Sequence, residues 1–203
     1  MAGRGRPRGF DTDTAIDHAI EVFWQHGYEG ASLDELTGAM GINRPSLYAA
    51  FGNKEQLFRL AVARYAEVDM AYAREALEQP TAADVVTSLL HRNVDAVTRA
   101  DRPAGCLTVQ GGTACGAGNE AIADFLAASR LTGERALADR LTRSIADGDL
   151  PAESDPVALA RFVMVVAEGN AVHAAAGTSA EELHESVDIA LKAFFALQTV
   201  GGH

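Results

Sequence analysis

Two short segments of this 203-residue chain carry hydrogen-bonding and cationic side chains at spacings suited to a polyanion: Asn43-Arg44-Pro45-Ser46-Leu47-Tyr48 and Arg4-Gly5-Arg6-Pro7-Arg8. Short polar groups at the N-terminal end of a helix can reach base edges in the major groove of DNA. Basic and hydroxyl groups beside them can hold phosphates. Asn43, Arg44, Pro45, Ser46 and Tyr48 have that arrangement, with Leu47 and Phe51 as the apolar back. Lys54 opens the next helix, where its ammonium and the free N–H groups suit a phosphate.

Other chemistries are weaker. Cys106 and Cys115 stand nine apart without further cysteines or histidines nearby to complete a metal set, so no metal and no cofactor are expected. The glycine-rich surroundings would let the two sulfurs meet. A thiol-based redox sensor, or a helical small-molecule binder, is therefore the alternative to DNA binding. His173 lies on an apolar helix, where a core or pocket role is the ordinary one, and His91 and Asp95 are a common helical pair. No nucleophile–base–orienter set is present, so an enzyme is not expected.

The elements that must position the polar run are helical. The periodicity predicts a first helix from Thr12 to His26, ended by Gly27, with Ile16, Ala19, Ile20 and Phe23 inward. Ser32 and Glu35 form a capping box for a second helix that Gly41 stops. Asn43 caps a third, and Pro45 is tolerated in its first turn because those N–H groups lack intrahelical partners. Asn53 with Gln56 caps a fourth, expected to run from Lys54 to Leu77. Beyond Pro80, helices are expected at 82–99, 119–147, 156–176 and 180–198, with a partly buried glycine-rich break at 102–118. The class is all-α: a basic flexible arm at 1–9, a helix-turn-helix domain at 10–55, and a larger ligand-binding and dimerisation domain at 56–203.

Net charge is −11, unusual for a nucleic-acid binder, but residues 1–10 hold three arginines and no acid. An acidic body weakens non-specific DNA binding and leaves a small contact surface in charge. Two cysteines and no secretory signal point to the cytoplasm. No apolar run is expected to reach the roughly 18 residues of a membrane span, so no membrane partner is expected.

The run Ala15-Ile16-x3-Ile20-x2-Phe23, then Gly27-Tyr28-x2-Ala31-Ser32-x2-Glu35-Leu36, Gly41-Ile42-Asn43, and Leu47-Tyr48-x2-Phe51-x2-Lys54-Glu55-x-Leu57 resembles the DNA-binding domain of the tetracycline-repressor-like (TetR/AcrR) family. The resemblance implies a dimeric repressor released from a palindromic operator by a small effector. By position, Tyr48 and Lys54 resemble the family's phosphate contacts and Ser32 its backbone contact, while Arg44, Pro45, Ser46 and Ala49 occupy base-facing positions. Pro45 and Ala49 depart from the more polar residues common there. Arg4-Gly5-Arg6-Pro7 resembles an AT-hook core, so Arg4, Arg6 and Arg8 are expected to contact the minor groove or phosphates and to be disordered off DNA.

The helix at 156–176 is apolar nearly all round, which calls for burial on both sides. With the last helix it is expected to form a four-helix dimer interface over residues 155–198, including Leu191 and Phe194. Residues 102–126 and 156–176 are expected to enclose a cavity for a small apolar effector, lined by Leu107, Val109, Gln110, Phe125, Phe162, Met164 and His173.

Overall fold

The computed structural model describes residues 10–111 and 118–199, with side chains through residue 196. Among these residues the regular elements are ten helices and no strand, the all-α architecture expected. Asp11 caps α1 (Thr12–Gly30) by accepting from the backbone N–H of Asp13 (2.8 Å) and Thr14 (3.4 Å). Ala15, Ile16, Ala19, Ile20, Phe23 and Trp24 form its buried face. Gly27, at φ 68°, interrupts the helix rather than ending it, and helical structure resumes to Gly30, past the end expected at His26. Ser32 and Glu35 make the reciprocal cap of α2 (Leu33–Met40), which ends at Gly41 in the left-handed conformation. Asn43 caps α3 (Arg44–Phe51) by accepting from Ser46 N–H at 2.9 Å.

The fourth helix is where the expectation fails. It is two elements, α4 (Lys54–Val68) and α5 (Ala71–Leu77), separated at Asp69 and Met70. No glycine or proline marks the break. Asp69 is buried there, facing Arg102 (3.1 Å) and Arg99 (3.6 Å) from the segment after α6 (Ala82–Val97). A buried carboxylate requires such partners, and these come from remote sequence.

Alpha-helix ends also leave carbonyls without donors. Arg140, almost fully buried on α8 (Glu120–Ala146), donates to the carbonyls of Leu77 (3.0 Å), Gln79 (2.8 Å) and Pro80 (3.0 Å). One guanidinium thus closes the end of α5 and fastens the turn into α6 onto α8. The short α7 (Leu107–Gln110) falls inside the expected break at 102–118, and its N-terminal residues are buried.

Asp155 caps α9 (Pro156–Ala175) and Pro156 fills its first turn. Ala160, Val163, Ala167, Ala171 and Ala174 face inward, while Val157, Phe162, Val165 and Val172 remain exposed on the other side. At 20 residues α9 is long and apolar enough, by length and composition, to cross a membrane, which corrects the expectation that no stretch reaches that length. It packs against α6 and α8, and its buried Asn170 donates to Asn93 at 3.2 Å. The last helix, α10 (Ala180–Thr199), is tied to α6 by a polar chain. Asp95 meets His184 at 3.0 Å, the two imidazole Nδ1 atoms of His184 and His91 are 2.8 Å apart, and His91 reaches Asp188 at 3.5 Å. Leu191 and Phe194 are buried within the protomer, so a charge there would damage the core rather than a subunit surface. On α9 and α10 the exposed large apolar residues are instead Val157, Phe162, Val165, Val172 and Ile189.

α1 is held to α4 by Arg64, which donates from Nε to Asp17 Oδ1 and from Nη2 to Oδ2 (2.7 Å), and lies 3.3 Å from Asp13. The hydrogen bond from Arg64 is the main cause that lowers the Asp17 pKa below its ordinary 3.8, against a smaller opposing effect of burial. A carboxylate lowered in this way contributes stability that is fully present above its unfolded value and is lost as pH falls through the folded one. Asp17→Asn is therefore expected to melt below the parent protein at pH 7. The gap should narrow as the buffer is acidified from about pH 4; a gap independent of pH in thermal melts would contradict the assignment.

Candidate nucleic-acid interface and cavity

Leu47 and Phe51 anchor α3 in the core, and this fixes which side chains look outward. Arg44, Pro45, Tyr48 and Ala49 are exposed, and Ser46 is half-buried. Asn43 is exposed, with its side-chain oxygen occupied by the cap. The helix therefore presents an exposed polar first turn on a fixed apolar base. Arg44 does not point freely into solvent. It donates from Nε (3.1 Å) and Nη2 (2.8 Å) to Asp34 at the start of α2. Both partners are well exposed, so the pair is weak in water and can open for a stronger anion. Sequence reading missed Asp34, because only the turn between α2 and α3 brings these two first turns together.

Lys54 sits at the seam between the bend of α1 and the start of α4. Its ammonium is 3.4 Å from the carbonyl oxygen of Glu29 and 4.7 Å from the centre of the Tyr28 ring. Burial lowers its pKa, with the charges of Glu29 and Glu35 opposing. Ser32 is exposed, its hydroxyl accepting from Glu35 N–H (3.1 Å) and its own N–H donating to Glu35 Oε2 (2.8 Å). Ser32, Asn43, Arg44, Pro45, Ser46, Tyr48 and Lys54 thus all lie on α2, α3 and the start of α4 or at their caps. Arg4, Arg6 and Arg8 lie outside the described residues.

A second feature is a cavity of about 600 Å³ among α4, α5, α6, α7, α8 and α9. Of the seven residues expected to line it, Val109, Phe125 and Met164 do so. The other four are corrected. Leu107 is fully buried and not in the wall. Gln110 turns to α1, where its side-chain oxygen accepts from Trp24 Nε1 at 2.8 Å. Phe162 and His173 are on the exposed side of α9.

Sequence reading missed Tyr65, Tyr72, Asn93, Thr108, Arg130 and Glu168 as wall residues. The break between α4 and α5 brings Tyr72 to Asn93, and the sequence gives no sign of it. Cys106, named for its thiol, is also in the wall and buried. Tyr65 donates to its sulfur at 3.3 Å, and Thr108 Oγ1 is 3.2 Å away. Cys115, the other half of the redox alternative, lies outside the described residues. Burial is the first cause of three upward pKa shifts: Tyr65 well above its usual value, Tyr72 to about 12, and Glu168 in the face of opposing Arg130.

The segments flanking the cavity are linked to α1 by short contacts. Besides Gln110 and Trp24, Arg102 is 3.5 Å from Glu21 on α1 and Asn119 donates to Glu29 at 3.0 Å.

Comparison with known proteins agrees with this arrangement. Residues 15–61 match the family model described as bacterial regulatory proteins, tetR family, and residues 82–194 match the tetracyclin repressor-like C-terminal domain. The chain is 35% identical over 191 residues to the HTH-type transcriptional repressor ComR of Escherichia coli (strain K12), covering 93% of this chain and 91% of that protein. It is 31% identical over 189 residues to the HTH-type transcriptional regulator YezE of Bacillus subtilis (strain 168), covering 92% and 97%. Among solved structures, a cysteine-substituted TetR family transcriptional regulator CifR, complexed with 26-bp double-strand operator DNA, is similar at a TM-score of 0.90 and 45% identity. That match covers 93% of this chain and 99% of CifR.

The geometry of α3 makes one local prediction. Asn43→Ala removes the side chain that accepts from Ser46 N–H, at a cost of about 1 kcal/mol, or roughly 2–4 °C in melting temperature for a chain of this size. Asn43→Asp keeps an acceptor and is expected to restore most of that loss. Equal melting losses for the two substitutions would show that capping is not what Asn43 contributes.

Proposed function

This chain belongs to the TetR family of bacterial regulatory proteins, and we propose that it is a dimeric transcriptional repressor released from a palindromic operator by a small effector. The observation that carries this reading is the outward face of α3, an exposed polar first turn held rigidly by Leu47 and Phe51. A helix so presented fits the major groove while α2 crosses the backbone. Residues 10–55 act as the DNA-binding unit, with 56–203 as the effector-binding and dimerising unit and 1–9 as the arm. A regulator works where its DNA is, which makes the bacterial cytoplasm its proposed location.

Within this reading, Tyr48, Lys54 and Ser32 hold phosphates, and Arg44, Pro45, Ser46 and Ala49 face base edges, with Asn43 beside them. Arg44 exchanges Asp34 for the DNA, and the arm arginines Arg4, Arg6 and Arg8 add minor-groove or phosphate contacts. The dimer forms through 155–198, where the exposed Phe162, Val165, Val172 and Ile189 give α9 and α10 an apolar outer face. Control runs from the cavity to α1 through Gln110–Trp24 and Arg102–Glu21. An effector can release DNA only if it binds better to the form whose recognition helices are wrongly spaced.

Selection of DNA from a random pool, followed by binding titrations at several salt concentrations, tests the DNA half. Lys54→Ala is expected to weaken binding to all sequences alike. Truncation of residues 1–8 should reduce the salt slope by up to about 0.9 per lost phosphate contact. Arg44→Ala should also change the preferred bases, at about 1–3 kcal/mol per good contact. Uniform loss across sequences for Arg44→Ala would remove it from the readers.

Phe162→Asp and Ile189→Asp test the dimer. Each is expected to give folded monomers by sedimentation, with the melting temperature of the protomer helices largely kept because both side chains are already exposed. A parent protein that sediments as a monomer would refute the assembly.

A further inference from the structure

The cavity wall contains three arginines and one carboxylate, and the protein already answers each cation. Arg59 pairs with Glu55 at 2.9 Å and lies 4.5 Å from the centre of the Phe125 ring. Arg74 donates to the carbonyls of Ala66 (3.0 Å) and Glu67 (2.8 Å). Arg130 donates to the carbonyl of Thr108 (2.9 Å) and faces Glu168 at 3.7 Å. Each guanidinium has further N–H groups, so an anionic ligand would share it with these partners. A cationic ligand would compete with Arg130 for Glu168, where burial already favours the uncharged acid. No charged side chain of the wall is without a protein partner.

The neutral groups do point somewhere. Asn170 donates to Asn93 Oδ1 at 3.2 Å, which orients the Asn93 amide so that its Nδ2 donates to the Tyr72 hydroxyl oxygen at 3.1 Å. Asn93 and Asn170 are both buried, so this chain is fixed. With its oxygen accepting, Tyr72 keeps its own hydrogen to give, and it donates no hydrogen bond among the described residues. The hydrogen of Tyr65, by contrast, goes to Cys106 Sγ. Burial holds the Tyr72 pKa at about 12, so it remains a donor at any physiological pH. The rest of the wall is largely apolar, with Val62, Met70, Leu77, Leu89, Leu137 and Met164.

We propose that the cavity takes an uncharged, mainly apolar molecule bearing an acceptor oxygen, such as a carbonyl or ether, and that the Tyr72 hydroxyl receives that oxygen. Tyr72 is then the residue that sets ligand class. The proposal rests on the effector-controlled reading, because it names what that cavity selects.

Four compounds of one size test it by calorimetry on the full-length dimer: 2-octanone, its isosteric hydrocarbon 2-methyl-1-octene, octanoate and octylammonium. The ketone is expected to bind about tenfold tighter than the hydrocarbon, the worth of one buried hydrogen bond, and the two ions are expected not to compete. In Tyr72→Phe the ketone should fall to the level of the hydrocarbon, whose own affinity is unchanged. The ranking on the parent protein stands without the variant, should loss of the Asn93 partner unfold it. Either ion matching the ketone, a ketone no tighter than the hydrocarbon, or no binding by any of the four overturns the proposal. Operator titration with saturating ketone separates the two readings. The expected binding rank with unchanged operator affinity leaves the ligand class standing and refutes control by that ligand.

Discussion

Phe58 is packed from both sides, and the molecule depends on that contact. On α4 and fully buried, it meets Phe23 (4.9 Å between ring centres) and Tyr28 (5.2 Å) of α1, and on its other side Phe125 of the cavity wall (6.5 Å). Beside it, Trp24 of α1 meets Tyr65, seven residues further along α4, at 4.9 Å, edge to face. Aromatic pairs at these distances add about 0.5–1.5 kcal/mol beyond area burial. The three-helix unit and the larger domain therefore share a core rather than meeting at a wet interface. A close-packed core transmits displacement, because neighbouring side chains have no slack to absorb it.

Charge works at a different level from packing. The body is strongly acidic, so attraction to a polyanion is restricted to a few sites where cations stand clear or are loosely held. Arg44 is loosely held by an exposed Asp34. Arg64, by contrast, is committed to Asp17 and Asp13 and fixes how α1 lies on α4. The exposure and number of their carboxylate partners separate a mobile contact at Arg44 from a structural clasp at Arg64. The acidic partner of Arg44 also gives a natural filter. Under the proposed role of Arg44, weak attraction to any duplex would first have to open that pair, whereas a site offering good bidentate contacts would more than replace it.

What the sequence revealed was local. Ser32 with Glu35, Asn43, Asn53 and Asp155 announce their helices because a cap acts within three residues. The inward set of α1 follows from period alone, and the outward set of α3 follows once Leu47 and Phe51 are placed. What it hid was set by distant partners. The break after Val68 depends on Asp69 meeting Arg99 and Arg102, some thirty residues away, and apolar spacing runs through it unchanged. The cavity wall suffered for the same reason. Period on α9 does not tell which apolar side faces inward, since nearly all of it is apolar, and Phe162 and His173 lie on the exposed side. Alanines turned out to fill the inner one.

This placement explains why a cavity exists. Ala160, Ala167, Ala171 and Ala174 face inward from α9, and Ala63, Ala66, Ala73, Ala96, Ala128 and Ala136 contribute to the wall from other helices. Small side chains on several converging helices leave volume that no larger neighbour fills. Such volume lacks the dispersion contacts a filled core would have, so the empty form is the less stable and more deformable one. A ligand that fills it gains those contacts, and its gain is largest in the form whose wall closes best around it. The wall includes Phe125, whose ring lies 6.5 Å from that of Phe58, and α7 carries Gln110 to Trp24, so the cavity and α1 share packed neighbours. Under the proposed effector control, a ligand's differential affinity for two wall geometries sets the upper limit on how far it could shift the DNA-binding equilibrium.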